Sequence, residues 1–166
     1  MAKINKYKLG QETLKMVEEP VVTAMRSSSK GVFMGSLDKP AYKMTPLEKM
    51  DKLRDGLNKH DLEKLKSRTE LDYDNLSKAL SVTRATLINK KGSEKFSPSL
   101  TERIISLADL YSYGYDVFED ESRFNTWMFK PNRALSGKAP YDIIDNQFGR
   151  EEVKNIIGRI DYGVYS

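Results

Sequence analysis

The sequence predicts an all-α protein, and three observations carry that prediction. Near the end of the chain Val153, Ile156, Ile157 and Ile160 recur at i, i+3, i+4 and i+7, one apolar face of the roughly 3.6-residue helical period. In the middle, Leu100, Ile104, Leu107, Ala108 and Tyr111 hold a longer face, widened by Ile105 and Leu110, which marks a central helix. Two helix starts are also written into the chain. Thr45-Pro46-Leu47-Glu48 offers a capping threonine, a first-turn proline and a glutamate three residues on; Ser97-Pro98-Ser99 repeats the first two signals.

Residues 1–44 read as an N-terminal arm. A short helical pattern runs through Glu12-Thr13-Leu14-Lys15-Met16-Val17 and stops before Pro20, Val21-Val22-Thr23-Ala24-Met25 fits a strand or more helix, and Ser27-Ser28-Ser29-Lys30-Gly31 is a flexible linker by composition. Val32, Phe33, Met34 and Leu37 are apolar enough to dock, with three destinations open: across a dimer, on DNA, or nowhere.

From Thr45 the spacing of Leu47, Met50, Leu53 and Leu57 predicts an amphipathic helix ending near Leu57. Residues 61–66 predict another, with Leu62 and Leu65 inward. His60 is the single histidine; with no cysteine, second histidine or nucleophile beside it, it falls in a loop or cap.

Residues 71–98 carry the most suggestive pattern. Asp72 or Asp74 can cap a short helix with Leu76, Ala79 and Leu80 inward, Ser81-Val82-Thr83 makes a tight turn with Val82 buried, and Thr83 caps a second short helix reaching about Lys91, with Leu87 on the core side. Arg84, Asn89, Lys90 and Lys91 are left outside. Two short helices with an apolar turn residue form a helix-turn-helix pattern, whose second helix enters the major groove. Arg and Asn match guanine and adenine edges, and Lys neutralises phosphates. A plain helical hairpin with a solvated basic face has the same signature.

Further on, Gly114 interrupts the tyrosine-rich end of the central helix, Tyr111, Tyr113 and Tyr115, whose rings suit core packing or a dimer contact better than base stacking. Asp116, Glu119, Asp120 and Glu121 lack the glycines and spacing of a metal loop and read as a solvated connection. Phe124, Trp127 and Met128 share one face of a helix that ends before Pro131, with Trp127, the sole tryptophan, as the expected centre of a small C-terminal lobe. The run from Pro131 to Pro140 is loop chemistry, and Pro140 can open a short helix. In the last helix Glu151 and Glu152 fall in the first turn and Arg159 in the last, as the macrodipole favours. The chain then finishes Tyr162-Gly163-Val164-Tyr165-Ser166, an apolar end that must either fold back on its own core or dock into another protein.

Charge divides the molecule. Of 28 Lys/Arg and 24 Asp/Glu, 20 and 13 lie in residues 1–100, leaving 8 and 11 for residues 101–166. A basic front and an acidic back suggest two surfaces with two kinds of partner, nucleic acid being the natural one for the front. The absence of cysteine removes disulfides and thiolate zinc sites, and no apolar run approaches the roughly 18 residues that cross a bilayer, so a cytoplasmic, non-membrane protein is expected. No nucleophile–base pair, phosphate-cradling glycine loop or metal constellation is assembled, which points away from an enzyme and from any cofactor.

The segment from Trp127 to Ser166 resembles the toxin-binding domain of the Xre/ParS/MbcA-like antitoxins, in the branch paired with RES-domain toxins. The matching positions are Trp127, Pro131-Asn132-Arg133-Ala134-Leu135, Gly137, Pro140, Gly149-Arg150-Glu151-Glu152-Val153, and Ile157-Gly158-Arg159-Ile160 with Tyr162-Gly163-Val164-Tyr165-Ser166. The resemblance extends upstream to about Asp61. Where the family usually has glycine after the residue matching Phe118, this chain has Glu119, so a slightly different turn is expected there.

The resemblance implies a helix-turn-helix domain over 45–118 and a toxin-binding domain over 119–166. It implies DNA contacts from Thr83, Arg84, Thr86, Asn89, Lys90, Lys91 and Lys95. Toxin contacts fall to Trp127, Asn132, Arg133, Leu135, Arg159, Tyr162, Val164, Tyr165 and Ser166. The implied partner is an NAD-consuming RES-domain toxin from the adjacent gene, silenced when the C-terminal lobe covers its cleft. Arg159 would pair with an acidic residue there, and the end from Tyr162 to Tyr165 would fill or border it. Operator DNA is the second implied partner, bound by a homodimer within a toxin–antitoxin hetero-oligomer that represses its own operon. The competing expectation is a stand-alone transcriptional regulator whose C-terminal lobe only dimerises.

Overall fold

The computed structural model describes residues 40–163, so the readings made on residues 1–39 and on Val164, Tyr165 and Ser166 lie outside the described residues. The described part is all-α, as predicted: α1 (Pro46–Asp55), α2 (Lys59–Thr69), α3 (Tyr73–Ala79), α4 (Arg84–Ile88), α5 (Pro98–Phe118), α6 (Glu121–Met128) and α7 (Gln147–Asp161). Short 3-10 turns lie at Ala41–Lys43, Arg133–Leu135 and Pro140–Ile143.

Each of these α-helices starts on a side chain that accepts a backbone N–H from its first turn: Thr45, Asn58, Asp72, Thr83, Ser97, Asp120 and Asn146. The caps satisfy donors that a helix cannot satisfy internally; those at Thr45, Asp72, Thr83 and Ser97 were legible in the sequence, while Asn58, Asp120 and Asn146 were not singled out. The capping box at Thr45 and Glu48 forms as predicted, and Asn58 and Asp61 make a second one.

α5 is the axis. α1, α2, α6, α7 and the Ala41–Lys43 turn all pack on it, and one apolar cluster runs from Ala41 through Leu62, Leu76, Leu87 and Ile104 to Phe124 and Ile157. The predicted face, Leu100, Ile104, Leu107, Ala108 and Tyr111, is buried throughout, as are Leu62, Leu65, Leu76, Ala79, Leu80 and Leu87. Pro140 opens a short turn as expected, though of 3-10 rather than α geometry.

Several expectations fail, each for a tertiary reason. α1 stops at Asp55, and Leu47 is 70% exposed with Met50 also exposed. Lys49 Nζ donates to Asp109 Oδ1 of α5 at 2.5 Å, so the face of α1 turned inward is that of Lys49 and Leu53, about half a turn away from Leu47. α4 ends at Ile88, short of Lys91. Lys59 Nζ takes the Ile88 carbonyl at 2.6 Å, and beyond it the chain is drawn away to Leu57, whose carbonyl accepts the Phe96 N–H at 2.8 Å. Val82 is half-buried rather than buried.

Gly114 does not interrupt α5. The helix runs through it to Phe118, and the missing side chain makes a notch: a Cβ on Gly114 would lie 2.2 Å from the Phe124 ring. Phe124, not Trp127, is therefore the centre of the aromatic cluster. It is buried, with Tyr111, Tyr115, Phe118 and Trp127 at centroid distances of 5.4, 5.5, 5.2 and 5.6 Å, while Trp127 is half-buried. Glu119 adopts φ 56°, a left-handed C-terminal turn of the kind that glycine favours. α7 begins at Gln147, which moves Glu151 and Glu152 out of its first turn and leaves the capping to Asn146.

Candidate functional site

The basic surface is built around α4. Thr83 Oγ1 accepts the Thr86 N–H at 3.2 Å, and the two hydroxyls lie 2.8 Å apart, so both threonines organise the first turn of the helix. Arg84 is exposed, with its Nη1 3.3 Å from both carboxylate oxygens of Asp74, an exposed pair of low strength. Asn89 and Lys91 are exposed, Lys90 lies 3.9 Å from Glu94, and Lys95 Nζ donates to the Gly56 carbonyl at 3.0 Å.

Sequence reasoning missed Lys59. It caps the C-terminal end of α4 and adds a fourth ammonium to Lys90, Lys91 and Lys95. It also sits 5.4 Å from the ring centroid of Tyr73, with Lys66 at 5.3 Å. The Tyr73 hydroxyl donates to Glu63, and burial followed by that carboxylate pushes its pKa up to about 12. No local pattern links Lys59 to Ile88, twenty-nine residues away.

At the other end of the molecule the candidate toxin-facing residues fall into two groups. Asn132 and Leu135 are builders. Asn132 Oδ1 accepts the Ala134 N–H at 2.9 Å, its backbone carbonyl accepts from Leu135 and Gly137, and Leu135 is buried beneath the loop. The loop then turns through Ser136 and Gly137, both left-handed, at φ 55° and 84°. Trp127 buttresses Phe118 and Phe124. Arg133, Arg159 and Tyr162 form the second group and face solvent. Arg159 lies 3.3 Å from Glu152 in a half-exposed pair, and Tyr162, at the C-terminal end of α7, is 84% exposed. Of the apolar finish, then, Tyr162 does not fold back on the core; Val164, Tyr165 and Ser166 lie outside the described residues.

Two tyrosines that the sequence reading did not assign to this end stand near it. Tyr42 and Tyr113 lie 5.5 Å apart, and a Cβ on Gly158 of α7 would lie 3.4 Å from the Tyr113 hydroxyl. Burial, then Asp161, Tyr162 and Asp116, raise the Tyr113 pKa. The signal was available: with Tyr111 and Tyr115 inward at i and i+4, Tyr113 must point elsewhere. The acids do local work: Asp120 caps α6 through Arg123, and Glu121 pairs with Arg68. Among the described residues no cluster of three or more His, Cys, Asp and Glu is arranged to hold a metal, and no helix is long and apolar enough to cross a membrane.

Comparison with known proteins bears on the C-terminal half. The Xre/MbcA/ParS antitoxin C-terminal toxin-binding domain matches residues 114–163, from the last turn of α5 to the end of α7. Similar proteins are named as antitoxins. "Prs ADP-ribosylating antitoxin" of a Sphingobium species is 24% identical over 139 residues, 77% of this chain and 87% of the relative. "Antitoxin Xre" of Yersinia enterocolitica is 24% identical over 129 residues, 76% and 86% of the two chains. Residues 114–163 thus form an Xre/MbcA/ParS-like antitoxin toxin-binding domain. A third relative, "Antitoxin Xre" of Photorhabdus laumondii, is 32% identical over 76 residues, 45% of this chain and 51% of that protein. The matched domain is of a toxin-binding kind, and its framework here is α6, the Asn132 loop and α7.

Proposed function

We propose that this chain is an antitoxin that neutralises a RES-domain, NAD-consuming toxin encoded beside it, by covering the toxin's cleft with the C-terminal lobe, and that it represses its own operon through α3 and α4. The observation that carries the first part is the exposure of Arg159 and Tyr162 together at the end of α7, inside the matched domain. Arg159 is held only by a half-exposed carboxylate, so exchanging Glu152 for a buried carboxylate in a partner gains a stronger, desolvated pair. The Asn132 loop, closed by its own hydrogen bonds over the buried Leu135, and Trp127 keep that end rigid, which lowers the entropic cost of docking. The lysines grouped around α4 support the second part, and a homodimer on paired half-sites gives one short helix enough affinity. Residues 45–118 are the DNA-binding unit and 119–166 the toxin-binding unit of a cytoplasmic protein that is not itself an enzyme.

Co-expression with the adjacent toxin gene tests this, with and without residues 160–166. Full-length antitoxin rescues growth and co-purifies with the toxin; the shortened chain does neither. A chain that never co-purifies with that gene product is instead a stand-alone regulator. DNA binding by the full chain falls steeply with salt, as phosphate neutralisation requires.

A further inference from the structure

Two guanidinium groups converge on the turn between α3 and α4. Arg150, in α7, is 4% exposed; its Nε donates to the Ile144 carbonyl at 2.8 Å and its Nη2 to the Ala79 carbonyl at 2.7 Å. From α5, Arg103 Nη1 donates to the Leu80 and Ser81 carbonyls, both at 3.1 Å. Ser81 closes the circuit, its Oγ donating to the Asp145 carbonyl at 2.6 Å, in the segment that leads into α7. Three successive carbonyls at the end of α3 are thus satisfied by α5 and α7. Ser81 itself turns the chain at φ 51°.

An arginine in that place is electrostatically unfavourable. Burial lowers its pKa first and the neighbouring Arg103 second, with Asp145 acting in the other direction. An apolar side chain would fill the space without that penalty, but it would leave the Ala79 carbonyl unpaired and would hold no direction. A planar guanidinium fixes direction as well as distance. The element that gains from this is α4, five residues long and joined to the rest by Thr83, Leu87 and Lys59.

We infer that Arg150, though it lies in the toxin-binding domain, is a positioning residue for operator binding. With Arg103 and Ser81 it sets the α3–α4 turn, and so the angle at which α4 meets DNA is fixed from α7. The inference rests on the operator-binding reading above, and it makes a distinction that reading does not. Arg150 is buried and contacts no phosphate, so its loss removes no electrostatic term; it degrades the fit of α4 to its own sequence over any other.

The test is an anisotropy titration of full-length wild type, Arg150→Met, Arg150→Lys and Ser81→Ala. The probes are a duplex carrying the antitoxin's own promoter region and a scrambled duplex, at several salt concentrations, alongside capture of the adjacent-gene toxin. Arg150→Met loses about tenfold of its preference for the promoter duplex while the salt slope stays at the wild-type value and toxin capture persists. Arg150→Lys recovers part of that preference. Ser81→Ala, whose side chain is on the surface and whose loss leaves the core intact, loses about threefold, and it decides the matter if Arg150→Met does not fold. The inference is overturned if wild type prefers the promoter duplex and both Arg150→Met and Ser81→Ala keep that preference. It is also overturned if the salt slope falls, or if toxin capture is lost in step with DNA binding. A wild type that shows no preference sinks the operator reading, and the inference with it.

Discussion

At its first turns α7 is locked in place. Gly149 is so close to the preceding 3-10 turn that a Cβ would lie 1.6 Å from the Ile143 carbonyl oxygen, and Arg150 reaches under it to α3. At its last turn the same helix presents Arg159 and Tyr162 to solvent, held by one weak pair. Between these ends Lys154 and Lys49 grip Asp109, buried on α5, so α1, α5 and α7 share one carboxylate. The difference teaches where tolerance lies: one end is held by backbone contacts and admits no change of shape, the other is an exposed surface whose residues matter hardly at all to the fold.

The sharpest way to break this contrast is to cut into the locked core. Phe124→Ala is expected to lose about 3–5 kcal/mol of stability, because the ring fills the Gly114 notch and touches four aromatic neighbours; chemical denaturation reads the loss. Gly149→Ala should cost about 3 kcal/mol, since backbone rather than a flexible side chain must move, and thermal melting checks it.

A pH titration sharpens the comparison next. Tyr111 and Tyr115 are buried, and burial, then a nearby ionisable group (Tyr115 for Tyr111, Glu121 for Tyr115), raises both pKa values from an ordinary 10.0. In the unfolded chain they ionise near pH 10 and in the fold only above it, so stability is intact below pH 10 and falls as pH rises beyond, by about 1.4 kcal/mol per pH unit for each tyrosine held neutral. Circular dichroism followed with tyrosinate absorbance should show unfolding and ionisation rising together; early ionisation in a folded protein would contradict the burial. Glu119→Gly is expected to raise stability by about 1 kcal/mol, by relieving a left-handed residue at the end of α5. Smallest in stability are Arg159→Ala and Tyr162→Ala, each within about 0.5 kcal/mol in a melt, although both should weaken toxin capture.

The sequence was informative wherever the controlling interaction is local. Caps, periodic faces and the short α3–α4 pair follow from residues within one or two turns of each other, and they came out nearly as read. What failed was orientation. Leu47 and Met50 have helical spacing but face outward because a lysine on another face of α1 found Asp109 sixty residues away. Trp127 is the larger ring, yet Phe124 took the centre because a glycine on α5 made room for it.

The candidate site divides the same way. Thr83, Arg84 and the lysines after α4 were legible because capping and charge are written in adjacent residues, whereas Asn132 and Gly137 were picked out only by the resemblance. Lys59, Tyr113 and Arg150 were not singled out as contributors, since each acts on backbone or rings brought near only when helices distant in sequence pack. By itself, then, the chain determined its helices, the starts of α1, α3, α4 and α5, and a basic front with an apolar finish, all set by residues close together in sequence. Only the tertiary structure decided which faces α5 buries, where Tyr162 emerges and how α7 comes to hold the α3–α4 turn, because those depend on the surfaces that remain once the best-fitting side chains have filled the core.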